Sequence, residues 1–453
     1  MRNEIPNPST LPEPPQPNGY PVIGNALDFV GASDPIQFLN DACRDHGDLV
    51  KLEMFGNEVY ITRSPEDAKR VFDTNNANYE KSSAQQEGFK RIMGEDIIIS
   101  EGELWRHQRN VLLPVISRDR VASFSPDITD YTEEMLDSWT EGEVIDVNRE
   151  MMGLTARVMC KVIFNWEADG YGETISENLR TVTTYLFKDS VGVTAPEWLP
   201  TPQNRRFKDA LETLNAIADE IIATRRHADD DVDDLITRTL EMRDDSDREL
   251  TNDILRGKVM TMSFAAHETT AQGLTFTLYL LSQHPHIRQR LQEELDAELD
   301  GRSPTAEDLS ELDFLEAVIK ESFRVYSPGY SINREVINDD ELSGYHIPAG
   351  SMVIVYQWGI HRNPRVWDRP HTFDPDRWLE DGQPADNEFA YIPFGAGPRR
   401  CAGQQFSLLE SKLVLATILQ ECDLELVTEP PIDFDLAVTT RPKNGIDMIP
   451  HSR

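Results

Sequence analysis

The chain of 453 residues carries 44 Lys plus Arg against 80 Asp plus Glu, which gives a formal net charge of −36. A field of that sign repels phosphates and argues against sequence-independent nucleic-acid binding, while a hydrophobic share of 39% is too high for a disordered polymer. Only 11 of the basic residues are lysine. An acidic, lysine-poor surface suits a protein that stays hydrated where salt screens self-repulsion. We therefore predict a halophilic host, the alternative being an unusually acidic protein from an ordinary one.

The cysteines and the apolar windows limit the class of protein further. The four cysteines lie far apart, with no C-x-x-C, so the spacing argues against a disulfide scaffold, a zinc ribbon and covalent c-type haem attachment. No run of about 18 apolar residues occurs, and residues 1–20 are polar and proline-rich, unlike a signal peptide. We expect one soluble, cytoplasmic domain over residues 1–453, opening with an extended lead-in at 1–20.

The first predicted elements are strands. Residues 47–62, GDLVKLEMFGNEVYIT, contain two β-runs around a Gly-Asn pair at 56–57, which predicts a hairpin. Ser64 and Pro65 then fit an N-cap and the first position of a helix. From there to about residue 325, helical patterns dominate.

The longest helical candidate is the segment 252–283, whose roughly 32 residues would cross a whole domain. A further helix is predicted to begin near Asp313, with Glu316 as its capping-box partner. Beyond it β-runs take over, an irregular stretch covers 361–400, and the last helix is predicted over 402–420. The predicted buried face of the Asp313 helix comprises Leu315, Val318, Ile319 and Phe323.

The segment FGAGPRRCAG, residues 394–403, carries the strongest chemical signal. Gly395 and Gly397 allow a sharp turn, Pro398 stiffens the approach to Cys401, and the sulfur lies just before a helix. The N–H groups and the dipole of a helix N-terminus favour a thiolate, which serves as a nucleophile, a redox thiol or a metal ligand. The alternative is a buried structural cysteine beside a glycine turn.

This segment resembles the cysteine loop of the cytochrome P450 family, F-x-x-G-x-R-x-C-x-G, and fills every specified position. The matching residues are Phe394, Gly397, Arg399, Cys401 and Gly403. The resemblance implies a non-covalent haem b, with Cys401 as the axial thiolate, Phe394 packed beside the sulfur and Arg399 paired with a haem propionate. A thiolate ligand pushes electron density toward the iron and favours O–O cleavage.

Two further motifs resemble the structural brace of that family. Glu321 and Arg324 form an E-x-x-R pair on one helix face, and FDPDRW offers Arg377 as the downstream arginine that locks onto it. A lone E-x-x-R is commonly a surface ion pair of small effect, but here the motifs follow one another in the order of the family. We interpret the three residues as supports of the cysteine loop, not as catalysts.

The stretch AAHETT resembles the oxygen-activation segment of the family, with Ala266 where glycine is usual. The resemblance implies a kinked helix that meets the haem at Ala265, a Thr269 hydroxyl that hydrogen-bonds bound dioxygen or its water, and a Glu268 carboxylate that relays protons from solvent. The alternative is that both side chains satisfy the helix backbone or form an ion pair. His267 is interpreted as structural, not as a metal ligand.

Further haem contacts are predicted from WRHQR, which resembles W-x-x-x-R of the family. Trp105 and Arg109, at i and i+4, would both reach a propionate; the alternative is an aromatic–cation pair on an amphipathic helix. Arg334, in SINREV, is a further propionate candidate. Substrate contacts are expected from three segments, namely residues 89–99, 264–266 and 330–332.

The resemblance covers about residues 18–450 and implies the cytochrome P450 fold, mostly α-helical with a smaller β-rich region. The implied enzyme is an oxidoreductase, a monooxygenase that inserts one oxygen atom of O2 into an apolar substrate and takes electrons from an external ferredoxin- or flavodoxin-type donor. We expect a monomer whose basic patch of Arg106, Arg400 and Lys412 meets the donor. Two alternatives stay open: a haem-thiolate peroxygenase or isomerase, and a non-catalytic haem-binding sensor.

Overall fold

The computed structural model describes residues 10–30, 32, 34–168, 170–190, 192–227, 232–241, 251–379 and 387–453. Part of the predicted lead-in, residues 1–9, and part of the predicted irregular stretch, residues 380–386, lie outside the described residues.

Helices make up most of the described chain, as the sequence predicts. In chain order they are α1 (Ala26–Val30), α2 (Pro35–His46), α3 (Pro65–Lys69), α4 (Ser83–Met93), α5 (Gly102–Val115), α6 (Arg118–Ser123), α7 (Ser125–Asp137), α8 (Val147–Phe164), α9 (Gly172–Ser190), α10 (Pro202–His227), α11 (Leu235–Glu241), α12 (Asn252–Ala266), α13 (Glu268–Gln283), α14 (Pro285–Leu299), α15 (Asp313–Val325), α16 (Gln357–Ile360) and α17 (Gln404–Glu421). Helix α13 lies at the centre, packed against α8, α15 and α17. It is buried on nearly every side, which explains why its sequence is apolar on several faces.

The strands form a smaller region around one mixed sheet. They are β1 (Leu49–Met54), β2 (Asn57–Thr62), β3 (Tyr79–Glu80), β4 (Ile145–Asp146), β5 (Ile332–Val336), β6 (Asp340–Leu342), β7 (Tyr345–Ile347), β8 (Met352–Val355), β9 (Cys422–Leu426), β10 (Phe434–Leu436), β11 (Thr440–Pro442) and β12 (Asp447–Ser452). The largest sheet has the order β1-β2-β8-β5-β3, in which only β2 and β8 run parallel. A three-stranded sheet, β4-β12-β9, and the hairpins β6–β7 and β10–β11 complete the region.

The central segment predicted as one long helix is interrupted at His267, between α12 and α13. The backbone there has φ −101° and ψ −58°, and Nε2 of the imidazole lies 3.2 Å from Ser176 Oγ. Burial lowers the pKa of His267 to about 4, so the ring is neutral near pH 7. Three residues on, Thr270 donates to Ser407 at 3.1 Å and ties the start of α13 to α17. The kink that the resemblance implied is present.

The predicted hairpin forms, but its turn lies one residue earlier than predicted. Met54 pairs with Asn57, so Phe55 and Gly56 are the turn residues, with φ of 52° and 83°. Two residues of positive φ in a two-residue turn match the twist of the flanking strands. The Ser64 cap of α3 is present, because its side chain accepts the N–H of Asp67 at 3.2 Å.

The start of α15 also differs from the prediction. Glu316 does not act as a capping-box partner, because the residue before the helix is Leu312, which has no side-chain acceptor. Instead Glu294 of α14 accepts the N–H groups of Phe314 and Leu315 at 2.7 and 2.9 Å. The helix end is therefore capped from a neighbouring helix, which satisfies two of its free donors.

The core consists of two clusters of buried apolar side chains. The larger fills the space between the helices and includes the predicted buried face of α15, whose residues are at most 3% exposed. The smaller lies under the five-stranded sheet. Among the described helices, none combines the length and the apolar character needed to cross a lipid bilayer.

Candidate active site

The segment before α17 forms a tight loop around Cys401. The N–H of Cys401 donates to the carbonyl of Phe394 at 2.9 Å, and the Phe394 ring packs edge-on against Phe323 with centroids 5.9 Å apart. Gly397 has φ 68°, and a β-carbon there would collide with the carbonyl oxygen of Phe72. Glycine is required at this position by the backbone conformation and by the close approach.

The Cys401 thiol experiences opposing influences. Burial raises its pKa, while the backbone N–H of Gly403 and the charges of Arg109 and Arg400 lower it, and the effect of burial is the largest. The expected stabilisation of a thiolate at the helix N-terminus is therefore present but does not prevail. A cation at the sulfur would favour the thiolate, as a coordinated metal does.

Cys401 lies in the wall of a cavity of about 1600 Å³. Of the predicted cofactor contacts, Arg334, Phe394 and Arg399 line the same cavity. The volume exceeds the roughly 300–1,000 Å³ of an ordinary small-molecule site, so a cofactor and a substrate fit together. Within the described ranges no three His, Cys, Asp or Glu side chains group as a metal site.

Three cations, Lys81, Arg334 and Arg399, line one part of the cavity. Burial and the charges of the two arginines lower the pKa of Lys81 to about 7, and burial lowers the pKa of Arg334 to about 10. The acid that acts on all three is Glu101, which forms an ion pair with Arg399. With Lys81 only partly protonated near pH 7, the three side chains and Glu101 together keep a net positive charge, which suits the carboxylates of a haem b. Neither Lys81 nor Glu101 belongs to a motif, so neither could be predicted from the sequence.

Replacing Lys81 by Met is expected to accelerate haem loss at least roughly tenfold, because a hydrogen bond to a charged group contributes about 1.5–3 kcal/mol. The measurement is the rate of haem transfer to an excess of a haem-scavenging apoprotein, followed by absorbance. Lys208→Met, which removes an exposed lysine of α10, is the matched control and should leave the rate unchanged. Equal rates in the two variants would show that Lys81 does not hold the cofactor.

The lowered pKa of Lys81 also predicts how haem affinity depends on pH. A dianion bound beside the ammonium raises its pKa above the value of about 7, so binding takes up a proton in that range. The affinity is therefore full below pH 7 and falls as the pH rises through the higher pKa of the bound state. Haem loss should accelerate with pH above 7 in the wild type and much less in Lys81→Met.

Trp105 and Arg109 lie behind Arg399 and not in the cavity wall. The guanidinium of Arg399 lies 4.4 Å from the centroid of the Trp105 ring, and that of Arg109 lies 5.7 Å from it. Arg109 also donates to the carbonyl of Arg400 at 3.1 Å, and Arg399 to that of Ser100 at 2.8 Å. The structure thus brings W-x-x-x-R and the cysteine loop together, and the aromatic–cation pair weighed as an alternative is present. A direct contact of Trp105 or Arg109 with a propionate stays a prediction.

The predicted acid–alcohol pair lies at the start of α13. Thr269 Oγ1 donates to the carbonyl of Ala265 at 3.0 Å, and neither residue belongs to the cavity wall described above. Glu268 is 2% exposed, accepts from Thr439 at 2.5 Å and lies 3.5 Å from Arg441. Glu268 therefore forms a buried ion pair, and a proton relay through it stays a prediction.

The predicted brace residues meet in a buried cluster. Arg324 donates through Nε and Nη2 to the two oxygens of Glu321, both at 2.8 Å, and Arg377 Nε donates to the same carboxylate at 3.0 Å. The remaining donors of Arg324 reach backbone carbonyls at 2.6 to 2.9 Å, so its full hydrogen-bonding capacity is used. The acceptors of these bonds are His361, Pro370 and Thr372.

The apolar lining of the cavity comes only in part from the predicted segments. Phe89, Tyr330 and Ile332 line it, and Phe264 packs edge-on against Phe89 with centroids 5.2 Å apart. Residues 92–99 of the first predicted segment and residues 264–266 of the second do not line this cavity. Further apolar lining residues, which no local pattern marks, are Leu186, Phe187, Ala437 and Val438.

The predicted basic patch is smaller than expected. Arg106 and Arg400 are exposed, but Lys412 forms an ion pair with Glu316 and donates to the carbonyl of Leu309 at 3.3 Å. The prediction for Lys412 was therefore wrong, because its ammonium is turned inward against α15.

Comparison with known proteins agrees with this geometry. The sequence profile described as Cytochrome P450 matches residues 14–447. The chain is 33% identical over 407 residues to cyclooctat-9-en-7-ol 5-monooxygenase of Streptomyces melanosporofaciens, covering 89% of this chain and 87% of the relative. It is 29% identical over 418 residues to pentalenene oxygenase of Streptomyces avermitilis, covering 92% of both chains. It is 28% identical over 431 residues to carotene epsilon-monooxygenase of Arabidopsis thaliana, covering 89% of this chain and 79% of the relative.

Proposed function

Because the chain belongs to the cytochrome P450 family, and so is an oxidoreductase of the monooxygenase class, we propose that it inserts one oxygen atom of O2 into an apolar organic substrate with Cys401 as the sulfur ligand of a haem b. The observation that carries the proposal is the Cys401 sulfur in the wall of a large cavity that Lys81, Arg334 and Arg399 also line. Electrons come from an external ferredoxin- or flavodoxin-type donor.

When bound, haem supplies the oxygen-activating chemistry. The residues of the chain hold and shield it. Phe394 packs beside the sulfur, Lys81, Arg334 and Arg399 hold the propionates, and the apolar wall excludes water. Cys401 would hold the iron through its sulfur, and the positive charge of a metal there would favour the thiolate over the thiol, whose pKa burial raises.

In this proposal Glu268 and Thr269 transfer protons to the site. Glu268 lies 3.5 Å from the buried Arg441, which in turn lies 3.6 Å from the exposed carboxylate of Asp435. The Glu268 carboxylate would take up and release the proton while Arg441 holds the carboxylate in place, and the Thr269 hydroxyl would deliver the proton.

Thr269→Ala is expected to lower product formation on the order of 10²-fold, which is the scale of a positioned general acid. Reductant consumption continues in this variant, and hydrogen peroxide accumulates in place of product. Thr269→Ser keeps the hydroxyl and is the matched control. Product and peroxide are quantified per reductant consumed; equal product yields from the two variants would contradict the role of the hydroxyl.

We propose a terpenoid substrate rather than a fatty acid or a steroid. Relatives that cover most of the chain carry the names of cyclooctat-9-en-7-ol, pentalenene and carotene. The apolar part of the cavity wall offers surface to a hydrocarbon of this kind, through Phe89, Leu186, Ile332 and Val438.

The test combines a binding titration with turnover. Pentalenene and a long-chain fatty acid are titrated separately into the haem-loaded protein, and the shift of the haem absorbance band reports which one binds. The better ligand is then incubated with a surrogate ferredoxin, its reductase and isotopically labelled O2. One labelled oxygen atom in the product supports the proposal. Product from peroxide alone would identify a peroxygenase, and binding without turnover a sensor.

The electron donor is proposed to dock beside the cysteine loop, where Arg106 and Arg400 are exposed. Arg400 precedes the proposed iron ligand, so a donor held there lies close to the haem. A chain with a net charge of −36 repels an acidic donor over most of its surface. An exposed cationic site therefore attracts the donor to one place.

We also propose that the chain works in concentrated salt. Its stability is expected to rise between low and molar sodium chloride, because screening removes the self-repulsion of a net charge of −36. The midpoint of thermal unfolding of the haem-loaded protein is the measurement, and sucrose of equal osmolality is the control. A midpoint that ignores salt, or that rises equally in sucrose, would speak for an ordinary acidic protein.

A further inference from the structure

Both backbone groups of Ile392 are held by side chains from one short helix. The N–H of Ile392 donates to His361 Nε2 at 2.9 Å, and its carbonyl accepts from the side-chain amide of Gln357. Gln357 lies on α16, His361 directly follows it, and all three residues are at most 3% exposed. These two peptide groups belong to no sheet or helix, and side chains supply hydrogen-bond partners for them.

Ile392 lies just before the cysteine loop, and hydrogen bonds hold its backbone in place. Its carbonyl also accepts the N–H of Gly395 at 2.9 Å, which opens the loop. Two residues after Ile392, the carbonyl of Phe394 accepts the N–H of Cys401 at 2.9 Å, which closes the loop. The position of the sulfur is thus defined relative to Ile392 by backbone hydrogen bonds.

Two routes connect Ile392 to the brace. The carbonyl of His361 accepts from Arg324 at 2.8 Å, so one residue contacts the brace with its backbone and the loop with its side chain. The ring of Tyr391 lies against His361 and Trp378, with centroids 5.4 and 4.6 Å away, and Trp378 donates to Glu321 at 2.9 Å. Among the described residues no hydrogen bond joins the brace directly to Cys401. An effect of the brace on the sulfur position is therefore transmitted through His361, Tyr391 and Trp378.

We propose that His361 is a positioning residue that, through Ile392, sets where the Cys401 sulfur stands relative to the haem iron. Nε2 accepts only when the proton of the neutral ring is on Nδ1. Burial and the charges of Arg324 and Arg362 hold the pKa of His361 far below its usual range, so the ring stays neutral. Among the described residues Nδ1 finds no hydrogen-bond partner, so the imidazole is oriented by its hydrogen bond to Ile392 and by its packing against Tyr391.

The proposal rests on the proposed function and is tested in the haem-loaded protein. His361→Leu removes the acceptor, whereas His361→Gln offers an amide oxygen at the same number of bonds from the backbone. Trp358→Phe, on the same helix, disturbs packing against Phe434 and Arg362 without touching Ile392. Three quantities are measured for each variant: the sulfur-ligated fraction in the reduced, carbon monoxide-treated spectrum, the haem reduction potential and the thermal unfolding midpoint.

His361→Leu is expected to lose most of the sulfur-ligated fraction and to shift the potential, and His361→Gln to restore both. Trp358→Phe should lower the unfolding midpoint and leave spectrum and potential unchanged. Wild-type spectrum and potential in His361→Leu, or an equal change in Trp358→Phe, would overturn the proposal. A wild-type protein without any sulfur-ligated band would instead overturn the proposed function.

Discussion

Cys401→Ala is expected to abolish monooxygenation and to remove the absorbance band diagnostic of sulfur ligation from the reduced, carbon monoxide-treated protein. Among the residues that the structure describes, no other cysteine lines the cavity, so no second thiolate there is placed to substitute. Without electron donation from a thiolate, O–O cleavage loses its main driving influence. Haem content should fall less than activity, because Lys81, Arg334 and Arg399, the proposed partners of the propionates, are unchanged.

Cys422→Ala is the matched control for this substitution. Cys422 is a free, buried thiol at the start of β9 and does not belong to the cavity wall. Its replacement should leave the band and the activity unchanged and lower only the stability. A band that survives in Cys401→Ala, or that disappears in Cys422→Ala, would assign the iron ligand to another residue and remove the basis of the proposed function.

The features that could be predicted from the sequence depend on local patterns. The apolar face of α15 repeats at helical spacing, and the structure buries all of it. The loop around Cys401 combines five specified positions in ten residues, and Gly397 could be recognised because a positive φ demands glycine. In both cases the physical requirement falls on residues that are neighbours in the chain.

The features that were missed depend on residues far apart in the chain. Lys81 became part of the site only because β3 pairs with β5, which carries Arg334. Glu294 caps α15 from another helix, so no capping signal precedes Asp313. The ion pair of Glu268 requires Arg441 of β11, far along the chain. Single-sequence patterns contain no information about such pairings, because they arise from tertiary packing.

The position of the β1–β2 turn shows a related limit. The Gly-Asn pair at 56–57 is a good turn signal, but a hairpin is also constrained by which side chains face the core. In the observed register Leu52 pairs with Val59, and both are buried. Burial of these side chains fixes the register, and Phe55 accepts the positive φ that the turn then requires.

Glu321→Gln is expected to destabilise the protein by about 3–5 kcal/mol, because it leaves Arg324 and Arg377 without a counter-charge in the interior. The side-chain amide also turns an N–H donor toward guanidinium donors, so one hydrogen bond is replaced by a repulsive contact. Urea unfolding of the haem-loaded protein measures the loss, and a low haem content should accompany it, since the brace connects to the cysteine loop.

The stability that is lost at acid pH should also be smaller in the Glu321→Gln variant. Burial alone would raise the pKa of Glu321, but the hydrogen bonds and charges of Arg324 and Arg377 outweigh it and hold the pKa below 4.5. A depressed carboxylate contributes stability that is present above pH 4.5 and is lost as the pH falls through the lower, folded-state value. Glu321→Gln should lack this part of the acid-induced loss, because the amide does not titrate.

Glu316→Gln provides the comparison that assigns the cause. It changes the same functional group on the same helix, but Glu316 is half-exposed and pairs with the partly exposed Lys320 as well as with the inward-turned Lys412. Its replacement should cost about 1 kcal/mol or less. Equal costs in the two variants would mean that the carboxylate of Glu321 contributes no more than a surface ion pair. A loss confined to Glu321→Gln identifies the unpaired buried charge as its source, since helix propensity changes equally in both.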